Sequence, residues 1–167
     1  PCFLLISLRG LHLINMNYFK KRNWFLKIII FIFLSHITFL MIKDHPHQNV
    51  YFNFLSGKNV ETRFELDYWG LSNKQALEFI LKNDSKPTIK IGAAGPISLE
   101  NSKQILSPLD KKRITISENI KSDYIIDNYI NWYGKYKKSR HKVPNNFKLY
   151  KEIFVNGKRI ISIYKRI

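Results

Sequence analysis

The chain reads as an α/β protein with one transmembrane helix, followed by a small extracytoplasmic mixed-sheet domain that ends in a β-hairpin. Three observations predict this. Trp24 to Ile42 is a nineteen-residue apolar run whose only charge, Lys27, lies near one end. Thr88–Gly92 is a short strand pattern that runs into a glycine-bearing turn and a new helix start. Two β-rich runs near the carboxyl end are joined by Asn156-Gly157, the pair that a type I′ turn favours because both central residues need positive φ.

The apolar run is justified first by length. Nineteen residues at a rise of about 1.5 Å cover the roughly 30 Å of a hydrocarbon core. A buried core helix is the competing reading, but in a small domain such a helix rarely runs this long without a polar face. Lys20, Lys21 and Arg22 precede the run, whereas only Lys43 follows it before Asp44. Basic residues stay preferentially on the cytoplasmic side. The expected location is therefore the inner (plasma) membrane, with a cytoplasmic amino-terminal side and the remainder outside the cell. His36, mid-run, reads either as a functional polar group or as a neutral histidine packed on a neighbouring helix.

Pro1 to Leu8 is apolar apart from Ser7, and Arg9 comes after this stretch rather than before it, which is the wrong order for a secretory signal. Residues 1–17 are read as the remnant of a preceding hydrophobic segment, 18–57 as the transmembrane helix with an interfacial linker, and 58–167 as the α/β domain. In the linker, Asp44 to Asn53 mixes polar groups with Tyr51 and Phe52 in a way that suits the headgroup zone. Pro46 should end the helix near Asp44.

The net charge of +16 raises nucleic acid as a partner. The basic residues are spread along the whole chain, however, and the abundance of Ile and Asn fits an AT-rich coding sequence. A solvated surface is the better reading, and no nucleic-acid partner is expected. Cys2 is the only cysteine, so an internal disulfide and a cysteine-based metal cluster are both excluded.

In the outer domain, Ser72 and Gln75 have capping-box spacing, with Leu71 and Ala76 placed for a hydrophobic staple. Ala76, Leu77, Ile80 and Leu81 then recur on one helical face, which should pack on a sheet. Thr88–Gly92 is a strand, and Gly92-Ala93-Ala94-Gly95-Pro96 leads to a second helix capped by Ser98. That turn could cradle phosphate, but its spacing matches no nucleotide fingerprint and a plain loop is the simpler reading. Residues 113–116 and 123–126 read as further strands, and 148–155 with 158–164 as the closing hairpin. Trp132 to Lys142 is a basic, aromatic loop that could grip an anionic ligand or lipid, or could simply be solvated. The sheet should be parallel where helices cross over and antiparallel at the hairpin.

No catalytic motif is present: there is no Gly-x-Ser-x-Gly elbow and no His-Glu-x-x-His. His45 and His47 beside Asp44 are too few ligands for a strong metal site, so neither a metal nor another cofactor is expected. Asp67, between Leu66 and Tyr68-Trp69, should be partly buried before a helix start, where backbone donors and the helix dipole alone would explain a carboxylate.

Three segments carry a resemblance: His45-Pro46-His47-Gln48-Asn49-Val50-Tyr51-Phe52-Asn53, Leu66-Asp67-Tyr68-Trp69-Gly70-Leu71-Ser72, and Ile161-Ser162-Ile163-Tyr164-Lys165-Arg166. Together they resemble the carboxyl-terminal end of bacterial GT-C superfamily membrane glycosyltransferases, of the protein mannosyltransferase class (glycosyltransferase family 39). The resemblance covers nearly the whole chain but only the end of a family member. It departs from the family at His47, where Tyr is usual, and near Gly57-Lys58, where a Gly pair is usual. It implies a polytopic enzyme that moves a sugar from a polyprenyl-phosphate donor at the outer membrane face, with the lipid bilayer and further transmembrane helices as partners. The family's catalytic acid belongs to an outer loop that has no counterpart in this chain, so no catalytic residue carries over and the chain is expected to be inactive alone. What the resemblance does imply is a substrate-side role for Tyr51, Asn53, Asp67, Tyr68 and Trp69 in shaping the outer face. The reading from another class is a single-pass membrane-anchored α/β domain that binds a ligand or partner without catalysis.

Overall fold

A computed structural model describes residues 2–18, 23–58, 60, 63–129 and 143–167, in two compact units that divide between His45 and Pro46. The first unit holds helices α1 (Cys2–Tyr18) and α2 (Asn23–Lys43). Within α2, Trp24–Lys43 is long and apolar enough to cross a membrane, and none of its most apolar stretch is buried. Within its own unit the helix thus presents an apolar surface on every side, as a membrane-spanning helix does. Lys43 sits in the last turn, where a cation opposes the negative end of the helix dipole.

The second unit is a five-stranded sheet with helices packed on it. Its elements run α3 (Leu71–Asn83), β1 (Ile89–Ala93), α4 (Leu99–Gln104), α5 (Pro108–Arg113), β2 (Ile114–Ile116), β3 (Tyr124–Asp127), β4 (Phe147–Val155) and β5 (Lys158–Arg166). Spatial order is β2-β1-β3-β5-β4. β1 lies parallel to both β2 and β3, whereas β5 runs antiparallel to β3 and β4. The mixed character expected from the sequence is therefore present. The parallel step from β1 to β2 passes through α4 and α5, and the antiparallel step from β4 to β5 through the tight turn.

Register explains the core. Ile91 pairs with Tyr124, Ala93 with Ile126, and Ile126 with Ile163, so one sheet face is almost wholly apolar. Ala76, Leu77 and Ile80 of α3 are fully buried in the same cluster, as the helical spacing predicted. The opposite face carries Gly92, Ile125, Asp127 and Ser162 in register. At the hairpin, Asn156 (φ 49°) and Gly157 (φ 73°) both adopt the left-handed region that a type I′ turn requires.

Two local readings change. Ser72 does not cap α3: the cap is Gly70, at φ 65°, and it makes no side-chain bond to the helix. Ser72 lies inside the first turn, and its hydroxyl and the Gln75 amide, instead of pairing as a cap, turn to separate partners described below. Residues 108–113 form α5, a helix that the sequence reading left out, and Arg113, read as the start of a strand, is its last residue. Ser107 caps it by accepting the Asp110 N–H at 3.2 Å, and Pro108 occupies the first turn, where its missing N–H costs nothing. Ser98 caps α4 as expected, accepting the Glu100 N–H at 3.2 Å. Lys20, Lys21, Arg22 and the loop from Trp132 to Lys142 lie outside the described residues.

Candidate functional site

The residues singled out from the sequence fall into a buried polar node and an exposed aromatic margin around the start of α3. The segment before it is pinned at Val50, which is buried in the core beyond a single 3-10 turn at Gln48–Val50. Asn49 Nδ2 donates to the Leu66 carbonyl at 2.8 Å, tying this segment to the one that carries Asp67. The chain then turns sharply, with the Gly70 N–H bonded to the Asp67 carbonyl at 2.9 Å, and α3 begins at Leu71.

Asp67 is 1% exposed. Its carboxylate accepts the Ser72 hydroxyl, and the Ser72 N–H lies 3.4 Å from both carboxylate oxygens. One of the N–H groups left open at a helix start is thus satisfied by a side chain reaching forward from outside the helix. Burial pushes the Asp67 carboxyl above its ordinary pKa, and the Ser72 bonds and the nearby His47 pull the other way. Burial is the larger influence.

His47 is also buried, and its Nε2 lies 3.2 Å from Gln75 Oε1. With the amide oxygen as acceptor, Nε2 is the donor in this contact. Nδ1 has no hydrogen-bond partner among the described residues, and neither does either amide atom of the buried Asn73. The geometry is that of a joint rather than a hydrolytic centre. The Ser72 hydroxyl is fully buried and held by Asp67, while the histidine pairs elsewhere, so the hydroxyl is shut away from any substrate.

The other expected site residues lie outside this node. Tyr51, Tyr68 and Trp69 are exposed, and the last two meet edge to face at a centroid separation of 5.0 Å. Asn53 turns on its own backbone: its Oδ1 accepts the Leu55 N–H at 3.0 Å and its carbonyl accepts the Ser56 hydroxyl at 2.7 Å. Asp67 is therefore brought together with Ser72 and His47, not with Tyr51 or Asn53. Sequence reasoning weighed His47 as a metal ligand and Gln75 as a capping partner, and it missed their pairing. Nothing local announces a contact between residues so far apart, although a polar stripe of Ser72 and Gln75 beside the apolar face of α3 was the available signal.

Among the described residues, no three His, Cys, Asp or Glu side chains converge as metal ligands. An open concavity of about 460 Å³ lies at the other end of α3, lined by Leu81, Lys82, Asn83, Asp84, Ser85 and Arg113. Arg113 is already engaged there, donating to the carbonyls of Leu81 at 3.3 Å, Lys86 at 3.2 Å and Asp84. It ties the last turn of α3, through Leu81, to the chain that leaves it at Asp84 and Lys86. No protein-family model, curated protein or solved structure matches the chain.

Proposed function

We propose that this chain forms the outer-face carboxyl-terminal part of a polytopic membrane glycosyltransferase that takes its sugar from a polyprenyl-phosphate donor. In this reading α2 crosses the inner membrane with its amino end in the cytoplasm, and the α/β unit lies outside. The domain shapes the outer face of the enzyme and leaves catalysis to other helices and loops. One observation carries the reading. The segments 45–53 and 66–72, which resemble the family, are joined side by side by the Asn49–Leu66 bond, with Tyr51, Tyr68 and Trp69 exposed around the joint. Residues that a family would keep for one purpose should meet in space, and these two segments do.

The direct test is transfer activity. Membranes from cells with the gene intact should move labelled sugar from a polyprenyl-phosphate donor to an endogenous acceptor, and membranes from cells with it disrupted should not. Equal transfer in both would count against the proposal. Protease protection in oriented vesicles tests the placement, since a domain outside the cell is sheltered in inside-out vesicles.

A second reading, a membrane-anchored domain that binds a partner without catalysis, is favoured by the compactness of the unit Pro46–Ile167, which has its own core. Expression of Met16 to Ile167 discriminates the two. A stable, monomeric, folded membrane protein favours the binding module, and a product that needs further helices to remain intact favours the enzyme.

A further inference from the structure

The stretch from Tyr51 to Leu71 is two-faced. Val60 and Leu66 enter the core, 2% and 7% exposed, just as Val50 does immediately before them. Trp69, Leu55, Tyr51, Phe64 and Tyr68 instead meet solvent, the first two 74% and 77% exposed. Two local contacts order these side chains: the Phe52 and Phe64 rings lie 5.1 Å apart with the Arg63 guanidinium 5.4 Å over Phe64 and donating to the Ser56 carbonyl, and the Tyr68 and Trp69 rings lie 5.0 Å apart. Large apolar side chains exposed together mark a surface that is covered in use.

We infer that this aromatic margin rests in the headgroup zone of the membrane that α2 crosses. The inference relies on α2 as an anchor, as proposed above. Two observations choose lipid over other partners. First, only residues 44–50 separate Lys43 at the end of α2 from Tyr51, a tether of at most about 25 Å, which brings the margin within reach of the bilayer surface. Tyr and Trp are the side chains that settle there, with the ring among apolar groups and the polar tip in water. Second, in a chain of net charge +16, residues 51–71 hold Lys58 and Arg63 against Glu61 and Glu65, with Asp67 buried away from this surface. A margin this balanced inside so basic a protein suits zwitterionic headgroups and apolar insertion, and it lacks the charge to recognise a strongly anionic macromolecule.

The test places a single tryptophan in the full chain, reconstituted in phosphatidylcholine vesicles. With Trp24→Phe and Trp132→Phe, Trp69 is the only emitter. Its emission should be blue-shifted, lost to lipids brominated near the headgroup end of the chains, and spared by aqueous iodide. As a reference, Leu109→Trp with all three native tryptophans changed to Phe puts the probe on α5, at an exposed position outside the margin. That probe should be quenched by iodide and not by lipid. A third variant carries its only tryptophan at Phe33→Trp within α2, and deep bromines should quench it. If Phe33→Trp is quenched by lipid while Trp69 answers only to iodide, the margin does not rest on the membrane, although the anchor stands. If Phe33→Trp is not quenched by lipid, the anchor itself fails and the inference falls with it. Equal lipid quenching at Trp69 and Leu109→Trp would also overturn the assignment, because the margin would then be no different from the rest of the surface.

Discussion

Ser72 is held by Asp67 through both of its donors, the hydroxyl bonding to Oδ2 and the N–H lying 3.4 Å from each carboxylate oxygen. Both residues are fully buried, so neither group can fall back on water when its partner is removed. Asp67→Ala should therefore destabilise the domain by about 1–3 kcal/mol, the cost of stranding buried donors. Denaturant unfolding of the full chain in detergent would measure this, and a loss well under that range would mean that the donors find other acceptors.

The raised pKa of Asp67 sets a pH dependence with a definite sign. Folded Asp67 holds its proton to higher pH than the unfolded carboxyl, whose ordinary value is 3.8. Stability is therefore lost as pH rises from 3.8 through the folded value, because the unfolded state ionises first. Asp84 and Asp123 are shifted the other way. Desolvation works against them, but hydrogen bonds from Lys86, Tyr124 and Lys90 prevail, so their contribution is present above 3.8 and is lost only below it. The two windows do not overlap. Asp67→Asn should flatten the upper window and leave the acid limb unchanged, which chemical unfolding at stepped pH would show.

Arg113 is the clamp on the end of α3. Arg113→Ala should cost roughly 1.5–3 kcal/mol, since charged donors to three carbonyls, one in the last turn of α3 and two just past it, are lost at once. Arg113→Lys should recover only part of this, because a lysine keeps the charge but not the planar fork that reaches separate carbonyls. Thermal melts of the two variants are the comparison, and equal stability would remove the clamp from the account.

Two glycines should respond differently to Ala. At Gly157 no atom lies within 4 Å of the added methyl, so the cost is that of the left-handed backbone alone, about 1 kcal/mol. At Gly70 the same conformation is combined with a methyl 2.8 Å from Asn73 Nδ2 and Ile97 Cγ2. Gly70→Ala should therefore be clearly the more damaging of the pair, and it should disturb the Asp67–Ser72 joint, as hydrogen exchange at the start of α3 would reveal.

What the sequence made legible was whatever it encodes over short distances. The Asn156-Gly157 turn, the apolar stripe of α3, the Ser98 cap and the apolar run of α2 each have a period or a turn residue that names the local conformation. α5 was legible too and was overlooked: Ser107, Pro108 and Asp110 are a cap, a first-turn proline and an acid at the positive helix end. The true start of α3 was harder, because Ser72 and Gln75 fit a capping pair in spacing while their side chains turn to Asp67 and His47 instead. Strand order lay beyond local reading altogether. β3 runs Tyr-Ile-Ile-Asp, buried at every position, and such a run says that it is central without saying between which neighbours. The node at Asp67 was read as a lone carboxylate for the same reason, since its partner segment at His47 is recognisable only once Asn49 has found Leu66.

The position of β5 between β3 and β4 bears on how the protein is born. Its inner neighbour β3 is made well before it, yet waits with one side unbonded until the hairpin has emerged from the ribosome. Until then only β2, β1 and β3 can pair, so the sheet stays at three strands of five while the rest of the chain is made. A stop codon just past Val155 would remove one strand in five and, with it, the bonding of two more.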